Sequence, residues 1–147
     1  MIKHILIPTD GSRLSERAAK AGVALAKSLG ARVTAFVAAP PPTPIVYKDF
    51  VPVKYMAPDE HADLIEHAAL KYLGVIERAA KAAGVRCESV HVTSDFPAEA
   101  ILATARKHHC DLIVMASHGR RGLKAVMLGS QTQKVLARAG IPVLVFR

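Results

Sequence analysis

Two short stretches of the sequence carry residue types that could bind a nucleotide, and the first of them is PTDGS. It places Thr9 and Asp10 directly after an aliphatic run. A carboxylate just beyond the end of a strand can accept hydrogen bonds from a ribose or an adenine, or hold Mg²⁺ through water. Asp10 could instead form only an Asx-type turn or cap the next helix.

The second stretch, MASHGRRGLKAVMLGSQTQKVL, is rich in glycine and in cations. Gly119 and Gly129 are separated by nine residues, and Ser130 follows immediately. Glycine lets backbone N–H groups approach an anion closely. A helix that begins near Gly129 would also aim its free N–H groups and the positive end of its dipole at that anion. A structural serine N-cap would explain Ser130 but not the paired glycines. Further hydroxyl groups and charges could come from Thr132, Arg120, Arg121 and Lys124.

The elements around these stretches decide whether they meet. Aliphatic runs alternate with amphipathic segments in the order β-α-β-loop-α-β-α-β-α-β. This alternation predicts an α/β fold with a five-stranded parallel sheet, strand order 3-2-1-4-5, helices on both faces and right-handed crossovers. Strands one and four are then neighbours where the winding reverses, and ligands bind beyond the carboxyl ends of strands at such a point. We therefore expect PTDGS and MASHG to face each other.

Three elements carry more specific expectations. The first helix is expected to end at Gly30 and the last at Gly140. The proline-rich segment from Pro40 to about Pro58 predicts a long surface loop, because proline excludes helices and central strands. The third strand alternates between apolar and polar residues, which indicates a half-exposed edge. The buried stripe of the first helix is expected to use Ala18, Ala21, Val23, Ala24 and Leu25.

Composition limits the classes of protein that fit. The chain has 147 residues, the usual size of one domain, with a net charge of +8 and no acidic residue after Asp111. This charge favours anionic partners, but helix-turn-helix spacing and RNA-stacking aromatic motifs are missing, which argues against a nucleic-acid binder. Cys87 and Cys110 are too few for a disulfide framework. No signal peptide or membrane span is visible, so we expect a cytoplasmic protein without membrane contact.

Common catalytic and nucleotide-binding motifs are absent. No G-x-x-x-x-G-K-[ST] occurs, and no G-x-G-x-x-G follows the first strand, which argues against a P-loop NTPase and a dehydrogenase. No motif of nucleophilic catalysis is present. His108, His109 and Cys110 are adjacent, but no second cluster stands at metal-binding spacing, so a surface helix end is the better interpretation.

The whole chain, from ILIPTDGS to IPVLVF, resembles the universal stress protein family. Members of its ATP-binding branch carry G-x2-G-x9-G-[S/T] after the fourth strand, and this chain has ASHGRRGLKAVMLGS there. Gly119, Gly129 and Ser130 match this pattern, whereas Ala116 stands in place of the first glycine. The resemblance also matches Asp10 to the family's aspartate, Val37 to a residue that lies on the adenine, and Met115 to a pocket residue.

The resemblance implies a Rossmann-like, adenine nucleotide alpha hydrolase-like domain over residues 1–147. It further implies ATP or a related adenine nucleotide, bound with Mg²⁺ or Mn²⁺, and a homodimer through the last strand, Ile141 to Phe146. Pairing would cover the aliphatic edge of that strand. Ala116 would be strained if its site requires positive φ, and would cost little if the site requires only a close approach.

We therefore predict a regulatory stress-response protein that binds an adenine nucleotide between strands one and four. The alternative is a dimeric interaction protein of the same fold that binds no nucleotide. Hydrolysis should be slow at most, because no residue is visibly placed as a general base. No catalytic residue is predicted, and Asp10 could contact a metal only through the metal-bound nucleotide. The candidate nucleotide-binding residues are Pro8, Thr9, Asp10, Val37, Met115, Ala116, His118, Gly119, Arg120, Gly129, Ser130, Gln131 and Thr132.

Overall fold

The helices and strands alternate along the chain as the sequence predicts. The computed structural model describes residues 1–43, 45–48, 51–55, 57–120 and 127–147, and for 45–48 and 51–55 it describes the backbone alone. The elements are β1 (His4–Pro8), α1 (Arg13–Leu29), β2 (Arg32–Ala39), β3 (Ile45–Lys48), β4 (Val51–Tyr55), α2 (Pro58–Ala83), β5 (Cys87–Thr93), α3 (Pro97–Lys107), β6 (Leu112–Ala116), α4 (Ser130–Arg138) and β7 (Val143–Phe146).

The central sheet contains five parallel strands in the order β5-β2-β1-β6-β7. In terms of the five predicted strands this is 3-2-1-4-5, so the predicted fold class is confirmed. β1 and β6 are neighbours, with Ile5 opposite Leu112 and Leu6 opposite Ile113. The winding therefore reverses between them, and the residues that follow both strands lie at the same edge of the sheet.

Helices cover both faces of the sheet. One core cluster places Ile5, Ile7 and Val33 against α1 and α2, and the other places Leu6 and Phe36 against α3 and α4. β1 is buried along its whole length, which explains its continuous aliphatic run. β5 lies at one edge and is half-exposed, as its alternating pattern predicts.

The buried face of α1 differs from the predicted stripe. Ala18 and Val23 are buried as expected, but Ala24 is exposed. Gly22 explains the difference, because a Cβ there would lie 2.7 Å from Cδ1 of Ile7. Because Gly22 has no side chain, the helix can approach β1 closely. The small residues on the same helix face, Ala19 and Ala26, are then buried. The buried residues of α1 are Ser15, Ala18, Ala19, Gly22, Val23 and Ala26.

Two further boundaries depart from the sequence predictions. The segment predicted as a loop contains an antiparallel hairpin of β3 and β4, which forms a separate two-stranded sheet. Its Pro52 is compatible with a two-stranded ribbon, where only one ladder must be hydrogen-bonded. α4 ends at Arg138, and the backbone is already extended at Ala139 before Gly140.

The predicted loop cations Arg121 and Lys124 lie outside the described residues. Among the helices described, none is long and apolar enough to cross a membrane.

Candidate functional site

The loop between β1 and α1 is held by its own hydrogen bonds. The N–H of Thr9 donates to the carbonyl of Phe36 (2.9 Å), which continues the ladder between β1 and β2. The N–H of Gly11 donates to Oγ1 of Thr9 (3.1 Å), and the N–H of Ser12 donates to Oδ1 of Asp10 (3.0 Å). Ser12 then caps α1 by accepting from the N–H of Ser15. These hydrogen bonds together fix the backbone of the loop.

Asp10 is ionised in this environment. Partial burial by itself raises the pKa of its carboxyl group, but hydrogen bonds from Ser12 and from the backbone N–H of Arg120 outweigh burial and hold that pKa below its usual range. The group is thus a carboxylate that accepts hydrogen bonds. Such a group suits the hydroxyls of a ribose and would repel a phosphate.

The segment after β6 is anchored from three directions. The N–H of Ser117 donates to the carbonyl of Phe146 (2.8 Å), and the N–H of Gly129 donates to the carbonyl of Ser117 (2.7 Å). Oγ1 of Thr132 donates to the carbonyl of Ala116 (2.9 Å), and Thr132 is buried. Thr132 therefore positions the start of α4 against the end of β6. Its hydroxyl donates to the backbone, and the predicted role of Thr132 as a ligand group stays a prediction.

The two loops contact each other directly at Asp10. The N–H of Arg120 donates to Oδ2 of Asp10 (2.8 Å), and Nε of Arg120 donates to the Asp10 carbonyl (2.9 Å). A Cβ on Gly119 would clash with the same Oδ2 atom. The glycine is thus explained by close approach, since its φ is not positive. The structure brings together Asp10, Gly119 and Arg120, as the strand order predicts.

Tyr72 of α2 is part of this contact, and the sequence analysis missed it. Nη2 of Arg120 donates to the hydroxyl of Tyr72 (2.6 Å), and the guanidinium carbon lies 5.1 Å from the centre of its ring. Gly11 has a φ of 78°, and a Cβ there would clash with the Tyr72 ring. Both its φ and the Tyr72 ring require glycine at this position, but no spacing in the sequence identifies Tyr72 as the neighbour.

The N-terminus of α4 lies beside this contact and has features of an anion site. Gly129 is its N-cap, and no side chain among the described residues caps its first turn. α1, α2 and α3 each have an acidic residue in the first turn, whereas α4 has none. An acidic residue there would compete with a bound anion for the helix dipole. A Cβ on Gly129 would lie 3.1 Å from Cα of His118, so this glycine too allows a close backbone approach.

Ala116 is not strained. It is the last residue of β6 and pairs with Phe146, and His109 is the one non-glycine residue with positive φ among those described. The first of the two alternatives for Ala116, a requirement for positive φ, therefore does not hold in this structure. The methyl group of Ala116 would therefore matter only if a ligand had to approach this position closely.

The remaining predicted residues fall into two groups. Pro8, Met115 and Val37 are buried, and Val37 belongs to the core cluster beneath α1 and α2. His118 and Gln131 are half-buried and have partners within the chain. Nδ1 of His118 lies 3.1 Å from Oγ of Ser117, and Oε1 of Gln131 accepts from the N–H of Ala98 at the start of α3. Ser130 is exposed.

A resident metal site is not formed by the described residues, because no group of three or more histidine, cysteine or acidic side chains lies close enough to hold an ion. His108 instead contacts Glu88, with Nδ1 3.0 Å from Oε1. Cys87 and Cys110 are free thiols, and Cys110 is buried.

Comparison with known proteins identifies close relatives over the full length. The model of the Universal stress protein family matches residues 1–147. Universal stress protein YxiE of Bacillus subtilis is 34% identical over 154 residues and is covered completely, as is this chain. The Thermus aquaticus protein named Universal stress protein in QAH/OAS sulfhydrylase 3'region is 36% identical over 154 residues, again with complete coverage of both.

Solved structures share the same fold. Protein MJ0577 of Methanocaldococcus jannaschii is 25% identical, with a TM-score of 0.79 over 99% of this chain and 96% of that one. A universal stress protein in complex with cAMP is 23% identical, with a TM-score of 0.72 over 99% of this chain and 97% of that one. One from Archaeoglobus fulgidus in complex with dAMP is 17% identical, with a TM-score of 0.60 over 100% and 98%.

Proposed function

Since the chain belongs to the universal stress protein family, we propose that it binds ATP or a related adenine nucleotide at the carboxyl ends of β1 and β6. The observation that carries the proposal is the direct contact between Asp10 and the segment Gly119–Arg120. Two loops 110 residues apart meet with an ionised carboxylate on one side and closely approaching glycine backbone on the other. This is the arrangement that ligands use at the switch point of a parallel sheet.

The charges of the site orient the nucleotide. The carboxylate of Asp10 would accept hydrogen bonds from the ribose hydroxyls, because it would repel the phosphates. The phosphates would lie at the uncapped start of α4, near Gly129 and Ser130, where the helix dipole favours an anion by about 0.3–1 kcal/mol. Mg²⁺ or Mn²⁺ would arrive with the phosphates and neutralise part of their charge.

Arg120 would act at the boundary between the two halves of the nucleotide. Its guanidinium contacts Asp10 and Tyr72, so a bound nucleoside would have to displace it. Once released, the same cation can pair with a phosphate as a charge-assisted donor. Arg120 would thus contact Asp10 and Tyr72 in one state of the loop and a phosphate in the other. Two such states would suit a regulatory role.

Relatives support the choice of an adenine nucleotide. Two proteins that share this fold were solved with cAMP and with dAMP. Rapid hydrolysis is not expected, because a carboxylate with a lowered pKa is a weak general base. We therefore propose binding and signalling, with hydrolysis slow at most.

Assembly as a homodimer would complete the proposal. β7 is the edge strand next to β6, and Leu144 within it is 41% exposed. Pairing of β7 with its twin across a two-fold axis would cover this apolar edge.

A dimeric interaction protein without nucleotide is the second candidate. It is favoured by the fact that both oxygens of Asp10 already accept hydrogen bonds from Ser12 and Arg120. In that case the contact between the loops would be permanent and structural.

Nucleotide content and titration separate the two candidates. The protein is purified without added nucleotide and denatured, and the supernatant is assayed for adenine nucleotides; the native protein is then titrated with ATP and Mg²⁺. Binding that is weakened by Asp10→Asn and unchanged by Asp63→Asn, a substitution of an exposed carboxylate on α2, would support the proposal. Absence of both co-purified nucleotide and binding at millimolar ATP would support the second candidate.

A further inference from the structure

A cleft of about 410 Å³ lies at the amino end of the sheet, opposite to the proposed nucleotide site. It is lined by the C-caps of α1 and α2, Gly30 and Gly84, and by four cationic residues, Lys3, Lys27, Arg32 and Arg86. All four cations are exposed. Nothing in the proposed nucleotide function uses this cleft.

The sheet itself gathers three of these cations. Lys3 and Arg86 immediately precede β1 and β5, and Arg32 is the first residue of β2. The N–H of Arg32 donates to the carbonyl of Lys3 (3.0 Å), and the N–H of Val33 donates to the carbonyl of Arg86 (2.8 Å). Because neighbouring strands lie about 4.8 Å apart, the three backbones form a row about 10 Å long. Three distant parts of the chain thus contribute cationic residues to one cleft.

No acidic residue lines the cleft in the part of the chain that the structure describes. Among the described residues, the ion pairs found involve Glu88 and Glu99, and neither pairs with a cation of the cleft. Oδ2 of Asp111 accepts instead from the backbone N–H groups of Lys3 and His4. The carboxylate of Glu88 accepts from Thr34 and contacts His108. Both acidic groups at this end are therefore committed elsewhere.

Compensation of helix dipoles accounts for only part of this charge. Lys27 lies in the last turn of α1, and Arg32 and Arg86 each lie two residues beyond a helix C-cap, where a positive charge is favourable. Each helix end carries about half a negative elementary charge, so the two ends offset about one of the four positive charges. The positive charge of Arg32 also acts on His4, because the pKa of His4 is lowered first by burial and second by Arg32.

We propose that this cleft binds a small molecule that carries a short chain of linked phosphate groups. Cationic residues from three neighbouring strand starts, whose backbones span about 10 Å, match such a chain better than a single compact anion. Two arginines can each donate paired hydrogen bonds to phosphate oxygens, and the lysines add point charges. The phosphate chain could be inorganic polyphosphate or the tail of a nucleotide, since both present the same groups.

Amide chemical shifts of four glycines test the proposal and separate it from the nucleotide site. ¹⁵N-labelled protein is titrated with inorganic tripolyphosphate at about 0.15 M salt, where diffuse charge effects are screened beyond about 8 Å. We expect saturable shifts at Gly30 and Gly84. A parallel titration with ATP identifies the source of the phosphate chain, because shifts at Gly119 and Gly129 report only on the switch point.

Matched charge variants give the decisive control. Arg32→Gln with Arg86→Gln should weaken tripolyphosphate binding about tenfold, at up to about fivefold for each exposed charge. Lys20→Gln with Lys71→Gln removes the same charge from exposed helix positions and should change binding less than about twofold. The proposal is overturned if Gly30 and Gly84 show no saturable shift up to about 10 mM. It is also overturned if both double variants weaken binding equally. Unchanged dispersion of the remaining amide signals verifies that the variants are folded.

Discussion

Replacement of Gly119 by alanine should separate nucleotide binding from stability. The added Cβ would clash with Oδ2 of Asp10, and the carboxylate can move away by rotating its short side chain. Rotation breaks its hydrogen bond from the N–H of Arg120, which is 2.8 Å long. A hydrogen bond to a charged group contributes about 1.5–3 kcal/mol. The carboxylate is partly accessible to water, so we expect unfolding free energy to fall by only about 1 kcal/mol, or about 3 °C in Tm.

Nucleotide affinity should fall much further. A rotated Asp10 no longer points at the ribose, and loss of that charged interaction weakens ATP binding about 10- to 100-fold. Calorimetric titration with ATP and Mg²⁺, together with thermal unfolding, measures both effects. Gly140→Ala is the matched control, because nothing lies within 4 Å of a Cβ at that position and its φ is not positive.

A double-mutant cycle identifies the cause. If Gly119→Ala acts through Asp10, its effect should largely vanish in an Asp10→Asn background, because the two substitutions remove one interaction. Affinity of folded Gly119→Ala within about twofold of the unmodified protein would refute the reasoning. Full additivity of the two substitutions would do the same.

Four further outcomes are expected. Ala116→Gly should leave ATP affinity within about twofold, since this strand position needs no positive φ, and should cost about 0.5–1 kcal/mol in denaturant unfolding; a large gain in affinity would show that the methyl group blocks the site. Because the pKa of Asp10 is lowered, its stabilisation is present above the usual carboxyl pKa of about 4 and lost as pH falls through the folded value. The stability difference between the unmodified protein and Asp10→Asn should thus shrink in acid, and a constant difference would contradict this. The pKa of His4 is also lowered, so the unfolded protein binds a proton at His4 more readily than the folded protein does. The unfolding free energy should therefore fall as pH drops below about 6.5, and His4→Gln should reduce this dependence on pH. Leu144→Lys should convert the proposed dimer to a monomer in light scattering, whereas Leu70→Lys, at an exposed leucine of α2, should not.

The fold could be predicted because residue types in the sequence indicate where the strands and helices lie and where they end. Continuous aliphatic runs mark strands that are buried on both faces, and Gly30 and Gly84 end α1 and α2 in the left-handed conformation. Strand order followed from the alternation of elements and the handedness of crossovers. That order alone was enough to bring Asp10 and Gly119 into one contact.

Features that depend on three-dimensional approach were beyond the sequence. Tyr72 lies on α2, and only the packing of that helix sets its ring under Arg120. Which face of α1 is buried depends on how closely Gly22 approaches Ile7. Ala116 has no positive φ and is still part of β6, where it pairs with Phe146, and only the strand pairing shows this. Residue types indicated these sites, but their partners come from packing.

The basic cleft illustrates a second limit. Lys3, Arg32 and Arg86 are far apart in sequence, and each one is an ordinary cation at the start of a strand or just before it. They reach one cleft only because β1, β2 and β5 are paired in the sheet. Net charge predicted anionic partners in general, whereas only the sheet shows where the charge is concentrated.

A crystal structure of the protein grown with Mg²⁺ and ATP tests the central claim most directly. The account predicts ribose hydroxyl oxygens within about 3.2 Å of the Asp10 carboxylate, phosphates at the backbone of Gly129 and Ser130, and Arg120 moved off Tyr72. The account would be contradicted by crystals grown at millimolar ATP in which Arg120 still donates to Tyr72 and no nucleotide lies between β1 and β6.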